Sequence, residues 1–323
     1  MQEMMTPKKA KNKSGMATKK RNEIIFLICL LALPILHKCV FYLGTSIQSV
    51  LLAFETYDKA TKTYYISGFG NFAQVFKNLA SLPLLQTSIR NTLYLYIMET
   101  FLSIPISLLC SYFVVKKVPG HGFFKIVFFL PSILSSVVMV LMFKYFGDWA
   151  IPEIAKILFG VKNFPLIFRD AAYAFPMMLV YSLWVGFAGG IVLYLGAMTR
   201  VPDGVTDAAM IDGVGMFGEF WHVIMPTVYP TLSVFLVTGL VGIFTGGGPI
   251  HAFYGDGVNG GTAGAPEHVY TMGYYLFTQV IGKNASNELY PYASAMGLLI
   301  TLVATPLTFL LKYLLEKFGP TEE

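Results

Sequence analysis

Ala171–Thr199 and Val223–Gly255 are two long stretches without a single Asp, Glu, Lys or Arg, and runs of that kind restrict what the chain can become. A helix rises about 1.5 Å per residue, so roughly 20 apolar residues cross the roughly 30 Å hydrocarbon layer of a bilayer. Inside that layer every backbone N–H and C=O must be paired within the segment, which selects helices. The hydropathy pattern places six such spans, at about 24–43, 91–115, 126–143, 175–198, 228–244 and 292–315. The expected fold class is therefore an all-α, polytopic membrane protein with six transmembrane helices. Composition points the same way, because hydrophobic residues make up 55% of the chain and charged residues only 13%, too few for an ordinary soluble domain.

Charge placement orients the expected bundle. Residues 1–23 are polar, carry Lys8, Lys9, Lys11, Lys13, Lys19, Lys20 and Arg21, and offer too little apolar surface to order, so they read as a disordered basic tail ahead of a transmembrane domain at 24–320. Lys116, Lys117, Lys125, Arg200, Lys312 and Lys317 fall on the same side as that tail. Lys and Arg are retained on the cytoplasmic face, so both termini and the connection between the fourth and fifth spans are expected inside. The same topology explains the net charge of +5 without nucleic acid. Cys29, Cys39 and Cys110 all sit in apolar runs, where a thiol acts as a small hydrophobe, and no metal site is indicated. The five histidines are scattered over both faces, which argues against a membrane-embedded enzyme. The external loops are longer than connection alone requires and rich in aromatic residues and glycine, suited either to docking a partner or to simple loop variability.

Between the two uncharged stretches lies a polar island, residues 200–227, holding Asp203, Asp207, Asp212 and Glu219 of the chain's 18 acidic residues. Thr206 is placed to cap a short helix and Asp207 to complement its dipole. Ala208 and Ala209 form helix without bulk, so another surface can approach the backbone there. Gly213 then ends the helix in the left-handed conformation. A second turn over Met216–Ile224 sets Phe217, Phe220, Trp221 and Ile224 along one side, and Pro226 and Pro230 mark entry to the fifth span. The expectation is a helix–glycine–helix elbow lying along the membrane face.

Asp207-Ala208-Ala209, Gly213, Val223, Met225 and Pro226 together resemble the EAA loop of ABC importer permeases, with Asp, Val and Met in place of the usual Glu, Ile and Leu. Asp212 beside Gly213, and Phe220-Trp221 before the proline, resemble the carbohydrate-uptake branch. The resemblance extends over roughly 24–320, including Arg90-Asn91-Thr92 and Phe129-Leu130-Pro131. It implies that Asp207, Ala208, Ala209, Asp212 and Gly213 form a coupling helix seated on a cytoplasmic ATPase subunit. It also implies a second permease subunit, an ATPase dimer that uses ATP and Mg, an extracellular solute-binding protein and a location in the bacterial cytoplasmic membrane. On this reading the chain itself binds no cofactor and does no chemistry. The substrate expected is a carbohydrate, an oligosaccharide in the first place. The alternatives are an ABC permease for a non-sugar solute or a secondary transporter, though the latter calls for several carboxylates within spans.

Glu99 is the one acid inside an expected span, and Lys38 is its candidate partner in an intramembrane ion pair; a proton relay or ligand contact is the other reading. Sugars are held by aromatic faces and neutral hydrogen-bonding groups, which draws attention to Tyr181, Ser182, Trp184 and Gly186 in the fourth span and to Thr238 and Phe244 in the fifth. By the resemblance, Ser182 and Gly186 contribute to the ligand cavity. Close helix packing through small residues at Ser182, Gly186 and Gly190 is the competing explanation.

Overall fold

The computed structural model describes residues 13–161, 164–246, 248–255, 264–281 and 285–320, with backbone alone for 13–19 and 243–245. It comprises two units, Met1–Leu52 and Ala53–Glu323. The first contains α1 (Lys13–His37), a π-helical turn at Lys38–Leu43 and α2 (Gly44–Leu52). Lys20–Leu52 forms one apolar rod of 33 residues, about 50 Å long and so more than enough to cross a bilayer. α1 begins inside the tail expected to be disordered, because Ala17, Lys19, Lys20 and Arg21 are strong helix formers and extend the apolar helix backward.

The second unit opens with a β-hairpin, β1 (Glu55–Asp58) and β2 (Thr63–Ile66), antiparallel in the register Glu55↔Ile66 to Asp58↔Thr63. Its turn is organised by Asp58, which accepts from the Ala60 N–H at 2.9 Å and the Thr61 hydroxyl at 2.8 Å. These bonds hold the carboxyl below its ordinary pKa. After α3 (Gly70–Ser81) comes α4 (Pro83–Met98), a π turn at Glu99–Ser103 and α5 (Ile104–Val115), continuous as a rod of 33 residues over Pro83–Val115.

The expected third span is broken. α6 (His121–Ile133) meets α7 (Ser136–Tyr145), itself continued by a π turn at Phe146–Ala150 and α8 (Ile151–Phe159), at a bend of 107°. Pro131 offers no N–H to the helical ladder, and Leu134 and Ser135 are extended with ψ of 149° and 137°. α9 (Ala174–Met198) matches the fourth expected span to within a residue. Beyond it lie α10 (Asp203–Ile211), α11 (Met216–Glu219), a π turn at Phe220–Ile224 and α12 (Met225–Thr245). The chain closes with α13 (Ile250–Tyr254), α14 (Met272–Val280) and α15 (Leu289–Phe318). Among the described residues five helices are long and apolar enough to cross a membrane, or six if the bent pair is one span.

Two apolar cores lie at opposite ends of α9. The first gathers Phe143, Phe168, Tyr181, Phe253 and Tyr274 around its start. The other packs Leu108, Tyr112, Phe220, Ile224 and Val228 around Tyr194 and Met198 at its end. A further core joins α3, α4, α14 and α15 through Phe72, Leu85, Tyr275 and Met296. Asn91 and Thr92 help to hold α4: the Asn91 side chain donates to the carbonyls of His268 and Tyr270, both at 2.9 Å, and the Thr92 hydroxyl accepts from the Met272 N–H at 2.8 Å. These buried polar groups are thus satisfied by backbone, as membrane-depth packing requires.

Candidate functional site

The elbow starts three residues before the expected cap. Pro202, with φ −64° and ψ 137°, sets the boundary, and Asp203 stands in the first turn of α10. Thr206 lies inside the helix and its hydroxyl donates back to the Asp203 carbonyl at 2.8 Å, so it does not cap; Asp207 sits mid-helix, and the dipole is met by Asp203 instead. The C-terminus follows the expectation. Gly213 takes φ +78°, its N–H bonds to the Met210 carbonyl at 3.1 Å, and the Val214 N–H reaches the Ala209 carbonyl at 3.0 Å. That pair of bonds is a Schellman motif, and only glycine adopts its left-handed position without strain. Asp207, Ala208, Asp212 and Gly213 are exposed and Ala209 is buried. Val205, Met210 and Ile211 are exposed as well, Ile211 to 86%.

Past Gly213 the environment reverses. α11 runs without interruption through the π turn into α12, so the membrane-length helix spans Met216–Gly242 and begins well before the expected 228. The expected single apolar side is two sides: Phe220 and Ile224 are buried, whereas Phe217 and Trp221 are exposed. Residues four apart share a helix face, so these are two separate pairs. The buried side is clamped to the end of α5. The Tyr112 ring lies 5.1 Å from that of Phe220, and its hydroxyl donates to the Met216 carbonyl at 2.8 Å. Lys116 Nζ stands 2.5 Å from Glu219 Oε1, with the side chains 20% and 3% exposed. That oxygen has no well-angled hydrogen bond, so the contact is one of close charges. Glu219 is the one buried charged side chain among the described residues. Sequence reading misses this pairing, since Lys116 registers only as a topological charge and Glu219 only as a member of the acidic island.

A cavity of about 360 Å³ lies between α4–α5, α9 and α12, with Tyr96, Glu99, Thr100, Ser107 and Thr238 set in a mostly apolar lining that includes Leu193 and Phe235. A second, of about 250 Å³, shares Tyr96, Glu99 and Gly239 and adds Thr92, Ser182 and Thr271. Glu99 is therefore common to both. Ser182 Oγ is buried there without a hydrogen-bond partner. Gly186 also serves packing: a Cβ on it would come within 2.9 Å of Ser103 Oγ, and one on Gly190 within 2.6 Å of Ser107 Oγ. The Ser107 and Ser111 hydroxyls donate across to the carbonyls of Phe187 and Ile191 at 3.0 and 3.1 Å. Gly186 thus packs closely against Ser103 and also lines the cavity.

The nominated aromatic residues go elsewhere. Tyr181 is buried 5.1 Å from Phe143 and 4.9 Å from Phe253, and Trp184 packs against the same core. The Tyr181 ring fills a protein interior and that of Trp184 is half-buried at its edge, because the bent α6–α7 pair brings Phe143 against α9. The side chain of Phe244 lies outside the described residues. Lys38 belongs to the first unit, where its ammonium lies 5.4 Å from the Tyr42 ring centre, and Glu99 to the second.

Membrane-length helices around a cavity, with a short exposed helix on an elbow between two of them, define a polytopic membrane protein. No protein-family model matches the chain. It is similar to the multiple sugar-binding transport system permease protein MsmF of Streptococcus mutans, 25% identical over 289 residues that cover 89% of this chain and 94% of MsmF. Protein LplB of Bacillus subtilis is 26% identical over 312 residues, 94% of this chain and 92% of LplB. The fold matches a chain from the crystal structure of a bacterial ABC transporter involved in the import of the acidic polysaccharide alginate, with a TM-score of 0.73, 17% identity, and coverage of 94% of this chain and 99% of that one. Over nearly its whole length the chain is thus similar to a permease protein of a sugar transport system, and such permeases are transport components and not enzymes.

Proposed function

We propose that this chain is one permease subunit of an ATP-driven importer in a bacterial cytoplasmic membrane, and that it supplies half of the path for an oligosaccharide. A second permease subunit completes the path, an ATPase dimer inside uses ATP and Mg, and a solute-binding protein outside delivers the sugar. The chain binds no cofactor of its own. Both termini and the elbow face the cytoplasm, where Lys and Arg concentrate. The observation that carries the reading is the elbow: α10 presents Asp207, Ala208 and Ile211 to solvent while its second half is built into a membrane helix. Such a helix can seat in a partner's cleft and pass on a rigid-body movement, which a flexible loop would absorb. End-to-end similarity to a sugar-transport permease supports the same conclusion.

ATP would close the ATPase dimer, draw the elbows of the two permeases together and tilt α9 and α12, changing the side to which the cavity opens. Within the two cavities Ser182 and Thr238 offer hydroxyls to sugar, Gly186 allows close approach, and Glu99 accepts from sugar hydroxyls. Glu99→Gln should lower uptake, and unchanged uptake would remove Glu99 from the path. The functional reading itself is tested by purification. A tagged chain coexpressed with its neighbouring genes and extracted in mild detergent should retain an ATPase subunit and a second permease; a monodisperse chain without an ATPase would overturn the reading.

A further inference from the structure

The contact between Lys116 and Glu219 has no part in forming the path and none in presenting α10. Its position nonetheless joins the two. Tyr112 and Lys116 are four residues apart and so share one face at the end of α5. Their contacts to Met216, Glu219 and Phe220 fall within the first turns of the helix that becomes α12. The charges are also on the favourable ends, with a cation at the C-terminus of one helix and a carboxylate near the N-terminus of the other. Both helices line the larger cavity: Tyr96, Glu99, Thr100 and Ser107 come from the rod that ends at Val115, and Phe235, Leu236, Thr238 and Gly239 from the rod that starts at Met216. A buried ion pair is seldom the most stabilising choice, since well-packed apolar residues of similar volume often do as well or better. Its better-supported use is to fix one arrangement of the elements it joins.

We propose that Lys116 and Glu219 are positioning residues that lock the elbow to the α4–α5 wall of the cavity, so that a movement received at α10 turns α5 and α12 as one body. Without the lock, α12 follows the elbow alone and the α4–α5 wall stays behind. The inference rests on the importer reading, and the experiment separates the two.

The test uses the assembled complex, with Cys29, Cys39 and Cys110 replaced by Ser and Thr100→Cys as the reporter in the cavity wall. The probe is a membrane-impermeant thiol reagent, applied with and without trapping by ATP and vanadate, and no sugar is needed. In the parent, trapping should change the rate at which the reporter thiol is labelled by about tenfold, as a two-state opening demands. In Lys116→Met with Glu219→Leu, which removes the charges and keeps an apolar contact, the complex should assemble and hydrolyse ATP while the labelling rate no longer responds. Lys116→Arg, which keeps the charge, should keep the response. A double variant that responds like the parent overturns the lock while leaving the importer reading intact; so does loss of the response in Lys116→Arg with assembly unchanged. If the double variant fails to assemble, Glu219→Gln decides in its place, and a parent-like response there also overturns the lock. Absence of any nucleotide response in an assembled parent overturns the importer reading, and the lock with it.

Discussion

The two halves of the elbow come from one acidic island yet are built for opposite purposes. α10 is a nine-residue helix whose acids, Asp203 and Asp207, face solvent along with Asp212 at its C-cap, and its apolar Val205, Met210 and Ile211 are exposed beside them. α11 has one acid, Glu219, and it is buried against Lys116. The halves differ in composition, α10 being acidic and alanine-containing and Met216–Ile224 aromatic, and in whether a neighbouring helix has come up against the surface. Among the described residues, α10 has no neighbour over most of its circumference. α11 has one side packed against the end of α5 and continues as a membrane helix. The lesson is that a transmitting element needs one free face and one fixed root, with a joint of defined angle between them.

The joint is where the comparison breaks most completely. Gly213 holds φ +78° and donates to Met210, whereas proline fixes φ near about −65° and has no N–H. Gly213→Pro should abolish ATP-driven uptake while membrane insertion persists, because the first half loses its angle and the second keeps its packing. Normal uptake in membrane vesicles would show that the joint has no set angle.

The fixed root comes next, and its two charges are unequal. Lys116→Met leaves a 3% exposed carboxylate without its cation and should cost about 3–5 kcal/mol, the range for breaking a buried pair. Glu219→Leu leaves a lysine that is 20% exposed and whose long stem can carry its ammonium to water, so about 1–3 kcal/mol is expected. Thermal denaturation of the detergent-solubilised complex should rank Lys116→Met below Glu219→Leu. The reverse order would mean that the carboxylate already reaches water.

The two halves are unequally readable in the sequence for the same reason. α10 is governed locally: its alanines and Gly213 act through backbone conformation, so residue types alone place the joint, although Pro202 sets the helix start earlier than Thr206 suggests. α9 is equally clear, since an uncharged run of that length has one outcome in a membrane. Non-local features are invisible. Nothing near Lys116 or Glu219 announces a partner distant in sequence, and Tyr181 and Trp184 look like sugar-stacking residues until Phe143 and Phe253 fold against them. The break at Leu134–Ser135 hides behind continuous hydropathy, which records burial in lipid and is blind to direction. Within the cavity, Ser182, Gly186, Thr238 and Glu99 can be found because polar or small residues are conspicuous in an apolar span, while Tyr96, Thr100 and Ser107 pass as ordinary.

On the free half, a substitution should leave the fold alone and weaken association. Ile211 is 86% exposed and touches little of its own chain, so Ile211→Ser should shift the thermal midpoint of the isolated chain by less than its measurement error, surface changes being worth about 0.5 kcal/mol or less. If α10 seats in an ATPase cleft, the same change removes a central apolar contact and lowers ATPase retention by about tenfold, equivalent to about 1.4 kcal/mol. A binding assay with purified ATPase measures this directly, and unchanged retention would assign the docking face to some other part of the elbow.

The smallest effect separates the components of the clamp. Tyr112→Phe keeps the ring that lies 5.1 Å from Phe220 and removes only the hydroxyl that donates to the Met216 carbonyl at 2.8 Å. A neutral hydrogen bond contributes about 1 kcal/mol net, and the carbonyl it leaves stands at a helix start where α11 itself can use it. The variant should therefore lose about 1 kcal/mol and retain transport, whereas Tyr112→Ala opens a void beside Phe220 and should lose about 3–5 kcal/mol. If Tyr112→Phe proved as damaging as Tyr112→Ala, the hydroxyl would have a role beyond bonding Met216. Its remaining neighbour is the Glu219 carboxylate, so the excess would assign the tyrosine to the charge pair and make the root of the elbow a three-membered polar contact instead of an ion pair beside a stacked ring.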